Sequence, residues 1–368
     1  LPRTVWLVGL VSFCNDATSE LIYPLLPLYL ASVLMAGPKT LGIIEGIAEA
    51  TGSLIKLLAG VLSDRRRSVK PWVVGGYALA ALARPLLALA SSWPLVLALR
   101  FADRVGKGLR SSPRDALLAL TVTAHTRGLA FGLHRSLDNA GAVVGPLLAA
   151  WLLAAAVPLP TIFLASALGG VLAVSLALAI REPARQPVVP GKSLPEWRLR
   201  DLPAVFRRYL AVLALFTLGN SSNMFLLLRA KEVGLADYQV PLLWALVSLT
   251  AALFSTPLAA LSDKIGRTRL IVGGWSVYGL FYLLLGVVGQ PALLWPLFAV
   301  YGLFMAATEG AEKALVADLV GADSLGAAYG WFNLTTGLLL LPASIVFGWL
   351  WQALAPLAAF AFAAGCAL

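Results

Sequence analysis

Long apolar stretches follow one another along the whole 368-residue chain, separated by short groups of charged residues, proline and glycine. An α-helix of about 20 apolar residues crosses the hydrocarbon core of a bilayer. Only 12% of the residues are charged, and the mean hydropathy is +0.85. A typical soluble domain carries about 25% charged residues. The sequence therefore predicts an all-α integral membrane protein.

Proline, glycine and clusters of charged residues interrupt the apolar sequence and divide the chain into twelve predicted transmembrane helices. Residues 182–208 are rich in proline and basic side chains and predict a loop, which separates an N-terminal six-helix bundle (1–181) from a C-terminal six-helix bundle (209–368). The predicted helices lie near residues 5–34, 40–63, 71–91, 94–116, 127–156, 159–181, 209–230, 238–262, 270–289, 292–317, 324–352 and 354–368.

Lysine and arginine are distributed unevenly between the two ends of the predicted helices. They crowd the 182–208 linker and the segments 64–70 and 264–269, whereas the turns near 91–94 and 289–292 have none. The positive-inside rule then predicts that the linker and both termini are cytoplasmic, in the inner membrane of a cell. A basic cytoplasmic surface suits the anionic lipids of the inner leaflet, so the net charge of +10 requires no nucleic-acid partner.

The two halves of the sequence resemble each other. LSD at residues 62–64 and LSD at residues 261–263 are both followed by basic residues, and RGLAFG (127–132) matches LGAAYG (325–330). Internal repeats of this kind are common in secondary transporters. The two bundles are therefore expected to be related by pseudo-symmetry. The two cysteines show no spacing typical of a metal site, and we expect neither a metal nor a cofactor.

Three motifs resemble those of the major facilitator superfamily, and the resemblance covers essentially the full chain. GVLSDRRRSVK (60–70) is similar to the loop G-x-L-x-D-R-x-G-R-[KR], and AALSDKIGRTR (259–269) repeats it. RFADRVGKG (100–108) resembles R-x-x-x-G-x-G-x-G, with Arg104 where glycine is usual. GAVVGPLLAA (141–150) resembles the G-x-x-x-G-P motif of exporters that exchange substrate for protons. The resemblance implies the twelve-helix fold of two six-helix bundles and a transporter rather than an enzyme.

The motif residues are candidates for gating. Asp64 can meet basic side chains and a helix N-terminus in a latch that breaks when the conformation changes. Gly141 and Gly145 permit a close helix contact. The alternatives are that the basic loops only fix topology and that the glycines only pack. The gating candidates are Gly60, Asp64, Arg65, Arg100, Gly141, Gly145, Pro146, Asp263, Lys264 and Gly266.

Helix 1 contains the polar stretch SFCNDATSELIYPLLP (12–27) inside apolar sequence. At 1.5 Å per residue, Asp16 is about 16 Å below the start of the helix, and Glu20 follows one turn later on the same face. A charge in mid-membrane costs at least about 2.5 kcal/mol, so such residues mark a pathway or pair with one another. Asp138, in the fifth predicted helix (127–156), is spaced to pair with His134 or Arg135. The proton-coupling candidates are Asp16, Glu20 and Asp138.

Further polar residues of the predicted spans are candidates for substrate binding, and a network of ion pairs that only locks the bundle is the alternative for several of them. The second half offers amides and hydroxyls where helix 1 is acidic, which assigns ion coupling mainly to the N-terminal bundle. The candidates are Asn15, Ser19, Tyr23, Glu49, Arg104, Lys107, His134, Arg135, Asn139, Asn220, Asn223, Glu309, Glu312 and Asn333.

These features predict a proton-coupled exporter of a small organic molecule that works by alternating access. An acid paired with arginine stays ionised, whereas an acid separated from it in a low-dielectric cavity gains a proton. We expect Asp16 or Glu20 to change protonation in a cavity shared with Arg104 and Arg135. The expected partners are the substrate, protons and membrane lipids, and the protein is expected to be a monomer.

Other functions remain open at this point. Uptake or facilitated transport of an anionic metabolite fits the surplus of arginine and lysine in the first bundle, and lipid export is compatible with the same fold. A membrane enzyme with Asp16, Glu20 and His134 as catalytic residues has little support, because the sequence contains no nucleophile motif, metal-ligand spacing or phosphate-binding loop.

Overall fold

The structure is a computed structural model that describes residues 1–64, 68–121, 127–182, 199–320 and 325–368. These residues form α-helices, with a few 3₁₀ turns and no strand among them. The helices of the first half are α1 (Arg3–Ile22), α2 (Leu25–Ser32), α3 (Pro38–Asp64), α4 (Lys70–Leu86), α5 (Trp93–Thr121), α6 (Arg127–Ala154) and α7 (Leu159–Leu178). Those of the second half are α8 (Ala204–Gly219), α9 (Met224–Glu232), α10 (Gln239–Ile265), α11 (Arg267–Val287), α12 (Leu294–Leu319), α13 (Leu325–Ala353) and α14 (Pro356–Ala367).

Two of the twelve predicted helices are interrupted in corresponding places of the two halves. The first predicted helix stops after Ile22 and resumes at Leu25, because Pro24 has no N–H and its ring clashes with a preceding carbonyl. The seventh stops after Gly219 and resumes at Met224. With α1 and α2 counted as one span, and α8 and α9 as another, the described helices make the twelve predicted spans. Seven described segments are long and apolar enough to cross a membrane by length and composition.

The chain divides into two compact units. The first consists of Leu1–Ala36, Ile47–Gly191 and Asp237–Leu242, and the second of Gly37–Gly46, Lys192–Ala236 and Leu243–Leu368. Most of the predicted 182–208 linker lies outside the described residues. Helix α8 begins at Ala204, so the last five residues of that predicted linker are helical.

In the first unit, α1 packs along α6 and α7, and α4 packs along α5 and α7. The contact between α1 and α6 is a backbone contact at two glycines. A Cβ added at Gly141 would lie 2.5 Å from the carbonyl oxygen of Phe13, and one added at Gly145 would lie 2.4 Å from that of Ala17. Side chains at these two positions would push the helices apart, so glycine permits the approach.

In the second unit, α11 packs against α12 and α14 through aromatic side chains. Tyr278 and Tyr282 of α11 stack with ring centroids 4.1 Å apart, and Phe281 stacks on Tyr301 of α12 at 4.8 Å. These rings are buried and surround the interruption between α8 and α9. The core of this unit is therefore aromatic around its broken helix.

Candidate functional site

The polar stretch of α1 is held by hydrogen bonds within the helix. Asn15 is buried, and its Nδ2 donates to Oδ1 of Asp16 at 2.7 Å. The Thr18 hydroxyl donates to the main-chain oxygen of Asn15 at 2.8 Å. Ser19 and Glu20 are half-buried further along α1, and the half-buried Tyr23 follows its last residue. The cluster predicted from the sequence is thus a continuous polar surface of α1.

The contact between α1 and α6 brings two carboxyl groups together. Asp16 packs against Gly141 of α6, and the carboxyl of Asp138, one turn earlier on α6, interacts with that of Asp16. Of the two partners that the spacing allows for Asp138, the structure selects Arg135, whose Nη1 lies 3.4 Å from Asp138 Oδ2. The Arg135 side chain is 58% exposed, whereas that of Asp138 is 16% exposed. The neighbouring Asn139 is half-buried.

A buried arginine that the sequence analysis did not select connects three helices of the first unit. Arg84 of α4 donates from Nε to Oδ1 of Asp103 in α5 at 2.9 Å. Its Nη1 donates to the main-chain oxygen of Asn15 at 2.9 Å, to Asn15 Oδ1 at 3.1 Å and to the Thr18 hydroxyl at 2.8 Å. A single arginine in an apolar helix is itself a signal of function, because the charge is costly in a membrane.

The basic face of α5 contains a second ion pair. Arg104, at the position where the family motif has glycine, is buried, and its Nη2 lies 2.7 Å from Oε1 of Glu49 in α3. Arg100 is also buried and lies 3.5 Å from Asp103. Lys107 is exposed. The structure therefore pairs Arg104 with Glu49 and Arg100 with Asp103.

His134 is bound to α1 by a hydrogen bond. Its Nε2 and the Ser12 hydroxyl are 2.8 Å apart, and Arg114 of α5 donates to the same hydroxyl at 3.3 Å. The hydroxyl of Tyr77 from α4 is 3.4 Å from Ser12, and the guanidinium of Arg110 lies over the Tyr77 ring. Sequence analysis missed Ser12 and Tyr77, since a single serine and a single tyrosine carry no signal in an apolar helix.

The gating candidates are only partly described. Arg65 lies outside the described residues, as do the side chains of Asp64 and Asp263 and the surroundings of Gly60. Lys264 is exposed, and Pro146 is buried inside α6. Gly266 precedes α11 with a φ of 94°, a left-handed conformation that glycine adopts without strain. The latch predicted at Asp64 therefore stays a prediction.

In the second unit, side chains from three helices bind the interruption between α8 and α9. The Tyr278 hydroxyl donates to the main-chain oxygen of Gly219 at 2.9 Å, and the Tyr301 hydroxyl donates to Asn223 Oδ1 at 2.6 Å. The main-chain N–H of Ser222 donates to the Ser344 hydroxyl at 3.2 Å. The bonds of Tyr278 and Ser344 satisfy main-chain groups that an unbroken helix would satisfy itself. Asn220, at the end of α8, is half-buried.

The remaining candidates of the second unit do not form one cluster with Asn223. Glu312 of α12 accepts a hydrogen bond from Nε1 of Trp275 at 2.9 Å, and Glu309, one turn earlier, is exposed. Asn333 is exposed and donates to the main-chain oxygen of Tyr329 within its own helix at 2.8 Å. Among the described candidates Glu309, Glu312 and Asn333, Glu312 is therefore the one whose side chain is not exposed.

Comparison with known proteins identifies the family. The profile of the Major Facilitator Superfamily matches residues 8–230 and 209–368. An uncharacterized MFS-type transporter of Methanocaldococcus jannaschii is 34% identical over 96% of this chain and 89% of its own length. The multidrug resistance protein MdtH of Salmonella newport is 24% identical over 90% of this chain and 82% of its own length.

Solved structures show the same fold at low identity. A POT family transporter in complex with 5-aminolevulinic acid superimposes with a TM-score of 0.84 at 13% identity, covering 100% of this chain and 94% of its own. The nucleoside transporter NupG gives a TM-score of 0.80 at 14% identity over 100% of this chain and 96% of its own. The protein therefore belongs to the major facilitator superfamily and is a multi-pass membrane transporter rather than an enzyme.

Proposed function

We propose that the protein exports a small organic molecule across the inner membrane in exchange for protons, by alternating access of two six-helix bundles. The observation that carries the proposal is the close approach of α1 and α6 at two glycines, where Asp16 packs on Gly141 and Asp138 lies one turn earlier on α6. Two adjacent carboxyl groups repel each other when both are ionised, so a single proton held between them stabilises the pair. The pair is thus suited to take up and release one proton.

The partner of Asp138 provides a way to couple that proton to movement. Arg135 lies at 3.4 Å from Asp138, and its side chain is largely exposed. A guanidinium close to the pair favours two ionised carboxyls, and its withdrawal favours the shared proton. A rearrangement that separates Arg135 from Asp138 would therefore favour proton uptake by the carboxyl pair. The return of Arg135 to Asp138 would favour release of that proton. Glu20, one turn beyond Asp16, is the alternative carrier.

Export is favoured over uptake by two observations. The GAVVGP sequence (141–146) resembles the motif of proton-exchanging exporters, and its two glycines form the backbone contact that places Asp138 beside Asp16. One relative is named a multidrug resistance protein. The same proposal assigns the two bundles to residues 1–181 and 209–368, with the linker and both termini in the cytoplasm, and a monomer as the working unit.

Polar residues of each unit are proposed to bind the substrate. In the first unit these are the α1 surface and the basic face of α5, where Arg104 is paired with Glu49. In the second unit they are the interruption at 220–223 and Glu312. Broken helices frequently mark the binding sites of transporters, because they offer main-chain polar groups at mid-membrane depth.

Uptake of an anionic metabolite is the second candidate, and the charge of α5 favours it. Among the described buried residues of this helix, Arg100, Arg104 and Arg110 are basic, and Asp103 alone is acidic. Arginine is well suited to bind carboxylate and phosphate groups. A surplus of buried arginine therefore fits an anionic substrate in either direction of transport.

Everted membrane vesicles with an acidic lumen test the proposal. Ligands are first selected by the rise in thermal stability that binding produces, from a panel that includes ethidium as an organic cation and succinate as an organic anion. An exporter accumulates the selected ligand in these vesicles, and Asp16→Asn or Asp138→Asn abolishes the accumulation. Glu232→Gln, a size-matched change at a carboxyl of α9 that pairs with Arg229, serves as the control. Accumulation that persists in both variants would refute coupling through this pair.

A further inference from the structure

Arg84 lies at a position that fixes the orientation of the Asn15 side chain. Its side chain is 6% exposed, and its Nη1 lies 3.1 Å from the Asn15 side-chain oxygen. A guanidinium has only N–H donors, so the amide atom that faces it has to be the oxygen. The amide nitrogen then has to point the other way, and it does so by donating to Asp16 Oδ1 at 2.7 Å.

We propose that Arg84 and Asn15 form a relay that determines how readily Asp16 gives up its proton. The proposal rests on the proposed function, in which Asp16 holds the transported proton. A hydrogen bond donated to a carboxylate stabilises the ionised form. The relay occupies Oδ1 of Asp16 with a donor and leaves Oδ2 as the oxygen that takes the proton. Arg84 is therefore a positioning residue, because it acts on Asp16 through Asn15.

Arg84 is itself held in place by Asp103. The Nε of Arg84 donates to Asp103 Oδ1 at 2.9 Å, and Arg100 lies 3.5 Å from the other oxygen of the same carboxylate. The main-chain oxygen of Asn15 and the Thr18 hydroxyl accept the remaining bonds of Nη1. Four hydrogen bonds leave the Arg84 guanidinium one orientation, so the amide of Asn15 has one orientation as well.

Other charged groups also act on Asp16, and the relay adds to them. From α6 the carboxyl of Asp138 and the ring of His134 act on Asp16, and from α5 Lys107 and Arg110 contribute positive charge. Glu20 is the other acid of α1 nearby. The described residues of α2 and α7, which also pack on α1, include no Asp, Glu, Lys, Arg or His. The influence of α4 on the ionisation of Asp16 comes from Arg84 and is transmitted through the side-chain amide of Asn15.

Infrared titration of the purified protein in lipid tests the relay without any need for transport. The difference between the infrared spectra of wild type and Asp16→Asn isolates the C=O band of the protonated Asp16 carboxyl. The pH at which half of this band has been lost is the midpoint of the Asp16 titration. Asn15→Ala removes the donor, so the midpoint should move by about one pH unit to more alkaline pH, the effect of one hydrogen bond to a charged group.

A second variant removes the buried charges of Arg84 and Asp103 together, so that neither is left without the other. Arg84→Gln combined with Asp103→Asn removes both partners of the buried ion pair, which is milder than removing one. Glutamine both donates and accepts, so the amide of Asn15 is free to turn, and the midpoint should move in the same direction as with Asn15→Ala. Adding Asn15→Ala to this double variant should produce no further shift, because the residues act on one path.

Arg229→Gln is the matched control. This arginine donates to the main-chain oxygens of Leu285, Gly286 and Val288, which like Arg229 belong to the second unit. Its replacement should leave the midpoint of Asp16 unchanged. An unchanged midpoint in Asn15→Ala, or in the Arg84→Gln, Asp103→Asn variant, would overturn the relay. Proton-coupled transport is tested separately, by flux measurements in vesicles. The infrared midpoint tests the relay and can be measured whether or not protons are transported.

Discussion

Replacement of Gly145 by alanine is predicted to separate α1 from α6. The added Cβ would lie 2.4 Å from the main-chain oxygen of Ala17 and 2.7 Å from the main-chain nitrogen of Leu21. Both atoms belong to the backbone, which cannot turn aside as a flexible side chain can. Ordinary contact of these atoms needs a separation of about 3.5 Å, so the two helices have to move apart locally by about 1 Å.

The cost follows from the packing of the interface. Extra atoms forced into a packed interior destabilise a protein by about 1–3 kcal/mol. Against this, alanine is favoured over glycine inside a helix by about 1 kcal/mol. The net loss should therefore be about 0–2 kcal/mol relative to wild type. Since Asp16 and Asp138 meet across the same interface, the separation should also weaken their contact and reduce proton-driven transport.

The assay compares the apparent melting temperature and gradient-driven transport of Gly145→Ala with those of Gly75→Ala. Gly75 lies inside α4, and a Cβ added there would meet no atom within 4 Å. The control should therefore be as stable as wild type or more stable, and should transport normally. If Gly145→Ala is as stable and as active as Gly75→Ala, the backbone contact described between α1 and α6 is wrong.

Three other predictions concern single contacts. Glu49→Gln should lower the free energy of unfolding by about 1–3 kcal/mol, measured in denaturant, because it leaves the charge of Arg104 buried without its 2.7 Å carboxylate partner. Tyr301→Phe should cost about 1 kcal/mol in the same assay, because it removes the 2.6 Å hydrogen bond to Asn223, and an unchanged stability would contradict that bond. Ser193→Cys, in a variant without native cysteines, should not react with an impermeant thiol reagent added to intact cells, and strong labelling would contradict a cytoplasmic linker.

The positions of the helices could be predicted from the sequence because the membrane requires long apolar segments. The third predicted span, residues 71–91, corresponds to α4 at Lys70–Leu86 and the 3₁₀ turn that follows it. The interruption after Ile22 was missed although Pro24 offered a signal, since proline is tolerated in transmembrane helices when neighbouring groups satisfy the backbone. The interruption at 220–223 was noted only as a polar cluster.

The candidate site could be predicted only in part. Local spacing limited the partner of Asp138 to His134 or Arg135 of the same helix, and the structure selects Arg135. The pairs that join different helices depend on the rotation of each helix about its axis, and no single sequence specifies that rotation. Arg84 and Ser12 were therefore missed, and Glu49 and Arg104 were both selected but not as a pair.

Proton flux measured together with substrate flux tests the central claim most directly. Purified protein is reconstituted in liposomes that contain a pH-sensitive dye, and a ligand selected by thermal stabilisation is supplied as a concentration gradient without a pH gradient. The account predicts that wild type moves protons in the direction opposite to the substrate, and that Asp16→Asn moves substrate without protons. Substrate movement by wild type with no change in internal pH would contradict proton-coupled exchange.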